Sequence, residues 1–178
     1  MIQDDVFGKA KRSKDGNRWV YVAKEKTKKL KSLFLGGSGK TEYESDFGET
    51  YDDVCNVGIY VWDVPSKKII KVEVDSGEKL IPACPSFANE SGSKIVFHAY
   101  HRTEFGYGLL HCFNRPVSIY EAEITSEEEV KVKKFETKNK TNMFPVVSCC
   151  SKFLAFFGGE GITHTYPLSL FIYKKDEG

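Results

Sequence analysis

Two short sequence types alternate along this chain, and each occurs three times. The first is a small-polar turn running into an apolar strand. It reads Asp15-Gly16-Asn17-Arg18-Trp19-Val20-Tyr21-Val22, then Ser91-Gly92-Ser93-Lys94-Ile95-Val96-Phe97, then Cys150-Ser151-Lys152-Phe153-Leu154-Ala155-Phe156. The second is a strand with its turn: Gly58-Ile59-Tyr60-Val61-Trp62-Asp63-Val64, Ser118-Ile119-Tyr120-Glu121-Ala122-Glu123-Ile124 and Ser169-Leu170-Phe171-Ile172-Tyr173. Ile59 and Ile119 stand 60 residues apart, Ser118 and Ser169 stand 51 apart, and Gly16 and Gly92 stand 76 apart.

A β-propeller blade takes roughly 40–50 residues and four strands. The spacings fit that unit plus insertions, such as those at 24–51 and 100–113. A β-sandwich has equally short strands and recurring turns, but the two-part recurrence favours the propeller. The expected fold is all-β, a partial β-propeller of about three four-stranded blades over residues 1–75, 76–135 and 136–178. Rings of this kind close with roughly four to eight blades. Three cannot close, so the chain is expected to be part of a larger ring, with apolar surface and open edges at its ends.

Strands are expected at 19–23, 59–64, 95–99, 117–124, 153–157 and 168–173, with Ile69, Val72 and Val74 and then Val130 and Val132 pairing back after tight turns. Thirteen Phe and nine Tyr among 178 residues suit sheets better than helices. Only 24–35 has a helical proportion of Lys and Leu, and it is short and uncapped. Without helices, no α/β-hydrolase domain is expected within the chain.

The formal net charge is +1, which excludes a global pull toward nucleic acid or a membrane surface. A basic cluster from Lys24 to Lys31 meets an acidic one from Glu42 to Asp53, which reads as a solvated connector. No stretch has the roughly 18 apolar residues of a membrane helix, and residues 1–8 lack the apolar core of a signal peptide. Five cysteines (Cys55, Cys84, Cys112, Cys149 and Cys150) at irregular spacing fit free, mostly buried thiols and a cytoplasmic location.

No catalytic, cofactor-binding or metal-binding residue is expected. The Gly-rich run from Gly36 to Thr41 is too short for a phosphate-binding loop, because Phe34 stands where its first Gly belongs. His98 and His101 are three apart, which on a strand puts them on opposite faces, and His111 and Cys112 complete no zinc spacing. Ser38 follows Gly36, but Lys40 replaces the closing Gly of a nucleophile elbow, and no triad is evident.

Several stretches together resemble the N-terminal propeller of acylaminoacyl-peptidases, also called acylpeptide hydrolases or acylamino-acid-releasing enzymes. One runs from Val96-Phe97 through Tyr100, Phe105, Gly108 and Cys112-x-Asn114-Arg115 into Ser118-Ile119-Tyr120. Another is Asp4-Asp5-Val6-Phe7-Gly8 followed by residues 19–26, and a third is Tyr43 to Glu49 before residues 59–64. Glu104 stands where the family usually has Pro, and Arg12 where a Trp is common.

The resemblance implies a prolyl-oligopeptidase-like serine peptidase. Its propeller lies over a C-terminal α/β-hydrolase domain with a Ser-Asp-His triad. Such enzymes release N-acylated amino acids from peptide N-termini, are homo-oligomers, and use the propeller to restrict access. This chain would correspond to about the middle third of that propeller. None of the family's catalytic residues maps onto it, so it would be inactive alone, with N-acylated peptides reaching it only through the whole enzyme. The alternative is a stand-alone β-repeat interaction module without peptidase activity.

Overall fold

Each small-polar turn closes an antiparallel pair of strands, and the first and third do so with the same two hydrogen bonds. The Ser13 amide donates to the Arg18 carbonyl at 2.9 Å, and the Ser13 hydroxyl accepts from the Arg18 amide at 2.9 Å. Ser148 repeats both bonds with Phe153, at 2.9 and 3.0 Å. Ala88 occupies this place in the middle copy and has no hydroxyl. There the neighbouring Asn89 side-chain oxygen takes the Lys94 amide at 3.1 Å. Each turn then passes through a left-handed residue: Gly16, Gly92 and Ser151, with φ of 78°, 67° and 60°.

The fold is that of a computed structural model, described for residues 1–25, 51, 54, 56–74, 80–103, 108–109, 114–126, 129–163 and 165–175. The strands are β1 (Lys11–Arg12), β2 (Arg18–Lys24), β3 (Val57–Asp63), β4 (Lys68–Val72), β5 (Leu80–Phe87), β6 (Lys94–His101), β7 (Val117–Ile124), β8 (Val130–Lys134), β9 (Thr141–Val147), β10 (Phe153–Gly159) and β11 (Ser169–Lys174). No α-helix occurs among the described residues. β1 to β4 form one antiparallel meander and β5 to β8 a second. β9 to β11 form a third, joined to the second by one parallel bridge, Val117 to Thr141.

This is an all-β, unclosed run of propeller-like sheets. The third meander has three strands among the described residues, where four were expected. The helical expectation at 24–35 and the Gly-rich run at 36–41 fall almost wholly outside the described residues.

The registers place equivalent residues on equivalent faces. On the first meander, Val20, Val22, Ile59 and Val61 are buried toward the second. Val96, His98, Ile119 and Glu121 hold the same register in the second meander and turn toward the third. The opposite faces carry the larger rings: Trp19, Tyr21, Tyr60 and Trp62, then Phe97 and Tyr120, then Phe156, Phe171 and Tyr173. Phe97 stacks on Tyr120 at 5.6 Å, and Phe156 stacks on Phe171 and Tyr173 at 5.6 and 5.5 Å. Full burial of a side chain such as Phe97 or Phe156 contributes about 1.5–3 kcal/mol.

The core lies between the meanders. One large cluster joins the first to the second, from Phe7 and Val20 to Phe97 and Tyr120. A smaller one of Ala88, Val96, Ile119, Leu154 and Phe156 joins the second to the third.

Three strands were not expected from the sequence, β1, β5 and β9, and each leads its meander. β1 is only two residues long, while β5 and β9 carry prolines: Pro82 and Pro85, and Pro145. Both break register at the same place, with a left-handed residue directly before proline. Cys84 has φ of 50° and Phe144 of 54°. The bulge uses up one residue and shifts the alternation, so a period-2 pattern cannot be read across it.

Candidate functional site

At the end of β6, His101 Nε2 and Ser118 Oγ lie 3.0 Å apart. β7 runs antiparallel to β6, and Ala99 opposes Ser118 in the register, so His101 and Ser118 are diagonal neighbours on one face. Lys134, Asn139, Lys140 and Asn142 join them around a cleft of about 170 Å³.

The far wall of this cleft is a closed polar network. The Asn142 amide nitrogen donates to Thr137 Oγ1 at 3.0 Å and to the Asn139 carbonyl at 3.2 Å, and Asn142 Oδ1 accepts from Asn139 at 3.2 Å. Thr141 Oγ1 donates to the Gly161 carbonyl at 2.6 Å. Asn142 and Thr141 are both buried, so satisfied bonds hold the wall rigid.

A serine and a histidine in contact suggest a nucleophile and a base, but the rest of the arrangement differs. An oxyanion site needs free backbone amides near the nucleophile. Here Ser118 sits inside a regular ladder, opposite Ala99 and flanked by paired residues, so no strand-to-helix turn presents such amides. The cleft has room for a few waters and falls below the roughly 300 Å³ of ordinary ligand pockets. It can hold a proton or a small polar group, and it is too small to enclose a peptide.

His98 lies on the opposite face of β6 and is fully buried. Phe144 donates its amide to His98 Nδ1 at 3.3 Å, and the rings of Phe144 and Tyr100 meet it edge-on at 5.3 and 5.1 Å. This bond leaves the proton on Nε2, which has no acceptor among the described residues. Burial pushes the imidazole down to about 3, so the ring is neutral. The two histidines are therefore separated by the strand itself. His111 and Cys112 lie outside the described residues.

The thiols depart from expectation. Cys84 is half-buried, and burial pushes it up to about 11. Cys149 and Cys150 are exposed, because they occupy the turn between β9 and β10 rather than a strand. Hydrogen bonding from Ser148, then from backbone amides, holds Cys150 below the ordinary thiol value.

At this same end the three turns meet. Lys14 Nζ lies 3.3 Å from Glu90 Oε1 and 2.5 Å from the Cys149 carbonyl, and the Arg18 guanidinium donates to the Gly92 carbonyl at 3.2 Å. One lysine on the first turn thus touches both of the others. Sequence reasoning missed this site and the His101–Ser118 pair, because each depends on long-range register. The repeated turn residues were the available signal for the first.

No helix among the described residues is long and apolar enough to cross a membrane. No curated protein matches the chain. Among solved structures it is similar to TolB from Acinetobacter baumannii, at 15% identity and a TM-score of 0.49, covering 95% of this chain and 30% of that one. The chain thus spans under a third of that structure's length. The family model described as the acylamino-acid-releasing enzyme N-terminal domain matches residues 11–166, from the first residue of β1 to beyond the end of β10. That match takes in most of the chain, all three repeated turns and both bulged strands: the chain belongs to the family of acylamino-acid-releasing enzyme N-terminal domains.

Proposed function

We propose that this chain is the access-restricting part of an acylamino-acid-releasing enzyme, with the peptidase chemistry supplied by a separate α/β-hydrolase domain. The family match over 11–166 carries the reading. In the same proposal the three meanders are successive blades, divided near residues 75 and 135, and the whole enzyme is a cytoplasmic serine peptidase acting on N-acylated peptides.

The geometry supports a passive gate. The turns after β1, β5 and β9 meet at Lys14, whose ammonium touches Glu90 of the second and the Cys149 carbonyl of the third, which supports a shared rim. The Ser118 environment supports a non-catalytic role, since its backbone is committed to the ladder.

The test is a chimera. Residues 11–166 would replace the matching segment in an active acylamino-acid-releasing enzyme, and turnover of short and long acetylated peptides would be compared. Retained preference for short peptides is expected. Equal turnover of both lengths would refute gating. Release of an acetylated amino acid by the 178-residue chain alone would refute the non-catalytic assignment.

A further inference from the structure

The first and third turns hold different residues in one geometry. In each, the serine carbonyl accepts from the amide three residues on: Gly16 to Ser13 at 3.0 Å, and Ser151 to Ser148 at 2.8 Å. That third residue is left-handed in both. In each, the serine hydroxyl accepts from the amide that opens the next strand, Arg18 or Phe153. Its own proton then remains for the residue two places after the serine. That residue is Asp15 in the first turn and Cys150 in the third.

The donors around the two positions match. Ser13 Oγ donates to Asp15 Oδ1 at 2.6 Å, and the Asn17 amide donates to the same oxygen at 3.0 Å. Ser148 Oγ lies 3.2 Å from Cys150 Sγ, and the Lys152 amide reaches the same sulfur. In the first turn these donors hold the Asp15 carboxyl below its usual range, the Ser13 hydroxyl first and the Asn17 amide next. The third turn therefore sets a thiol in a cradle that elsewhere in the chain holds a carboxylate, and such a cradle favours the thiolate. Cys150 is exposed, so that sulfur can be reached. Cys149 is exposed beside it but stands at the place of Lys14, outside this set of donors.

We propose that Cys150 is a site of reversible modification, at which the sulfur of the third turn exchanges with low-molecular-weight disulfides of the glutathione class. The Cys150 thiolate attacks one sulfur of the disulfide. That S–S bond breaks, a mixed disulfide with Cys150 forms, and the other half leaves as a thiolate that takes its proton from water. The disulfide is the only oxidant the step needs, and a free thiol reverses it. The adduct then stands beside the Cys149 carbonyl that accepts from Lys14, where the first and third turns meet. This chemistry does not depend on the peptidase reading.

The test is reaction of the reduced 178-residue chain with oxidised glutathione across neutral pH, read by peptide mapping. Cys149→Ser leaves Cys150 as the one thiol of its turn, and Cys150→Ser leaves Cys149. Cys150 should react roughly three- to tenfold faster than Cys149, and dithiothreitol should release the adduct. Ser148→Ala should move the rise of the Cys150 rate to higher pH. The middle turn carries Ala88 at that place and still closes, so the variant should fold. Asp15→Cys, made in a chain lacking both turn cysteines, should bring modification to position 15 at a rate close to that of Cys150. Equal rates for Cys149 and Cys150 would overturn the proposal. So would an unchanged pH profile in a Ser148→Ala chain that keeps its sheet signal by circular dichroism, or an Asp15→Cys chain that reacts no faster there than Cys149 does.

Discussion

Phe144 donates its backbone amide to Nδ1 of His98 across the boundary between β9 and β6, and it can do so only because it stands at a bulge with φ of 54°. In a regular strand that amide would join the ladder. The bulge turns it out, and the neutral imidazole receives it.

This relationship predicts a pH dependence. The folded value of His98 is about 3, below the roughly 6.5 of an unfolded histidine, so the unfolded chain binds the extra proton first. The stability associated with the neutral ring is complete above about 6.5 and is lost below it at about 1.4 kcal/mol per pH unit. His98→Phe removes that titration and leaves the Phe144 amide without its acceptor, at a cost of about 1–3 kcal/mol. Urea unfolding at pH 7.5 should therefore show the variant less stable, with the gap closing or reversing by pH 5. A gap of constant size would contradict a buried neutral ring.

Gly8 is expected to resist any side chain. Its φ is 82°, and an added Cβ would meet Cys84 Cα at 2.9 Å, a backbone atom that cannot swing aside. Cys84 is anchored there by its own amide, which donates to the Phe7 carbonyl at 2.9 Å. Gly8→Ala should cost about 2 kcal/mol or more, seen as a drop of about 4–8 °C in Tm for a chain of this size.

The turn between β3 and β4 rests on Asp63. Its Oδ1 accepts from the Ser66 amide at 3.0 Å and the Ser66 hydroxyl at 2.8 Å, while Oδ2 takes Arg18 Nε at 3.0 Å. The bonds from Ser66, with Arg18 adding to them, hold the carboxyl below its usual range. Asp63→Ala should lose about 2 kcal/mol at pH 7. Because the folded value is depressed, the advantage of the parent is present above about 3.9 and fades as pH falls through the folded value. Paired denaturation curves at pH 7 and pH 2.5 would show whether the gap shrinks as required.

The thiols should separate kinetically. Cys150 is exposed and favoured as thiolate, whereas Cys84 is half-buried and pushed up. With iodoacetamide at pH 7.5, peptide mapping should find Cys150 alkylated well before Cys84. Comparable rates at the two positions would mean that the β9–β10 turn does not support the thiolate.

The central strands of each meander were legible in the sequence, because β2, β3, β6, β7 and β10 alternate cleanly or form unbroken apolar runs bounded by turn residues. The leading strands were not. β5 and β9 interrupt their pattern with Cys84-Pro85 and Phe144-Pro145, and β1 is only two residues long. A proline after a left-handed residue looks like a break when read alone. Read as a pair at matching distance before a turn, the two copies would have marked the bulges. The His101–Ser118 contact was hidden for another reason. It arises from which residue of β7 opposes Ala99, and register between strands is written in neither strand separately.

The two interfaces within the chain are unequal, and this sets the order in which the molecule comes apart. The large cluster couples the first two meanders into a cooperative unit and takes in only Met143 of the third, which is otherwise held by the smaller cluster, the Phe144–His98 bond, the Lys14–Cys149 contact, the Lys175–Glu121 ion pair at 2.5 Å and a single parallel bridge. In a linear array, each element is only as protected as its couplings to its neighbours. β9 to β11 therefore have the lowest opening free energy of the three meanders. Their amides exchange with solvent first, while those of β2, β3, β6 and β7 wait for global unfolding.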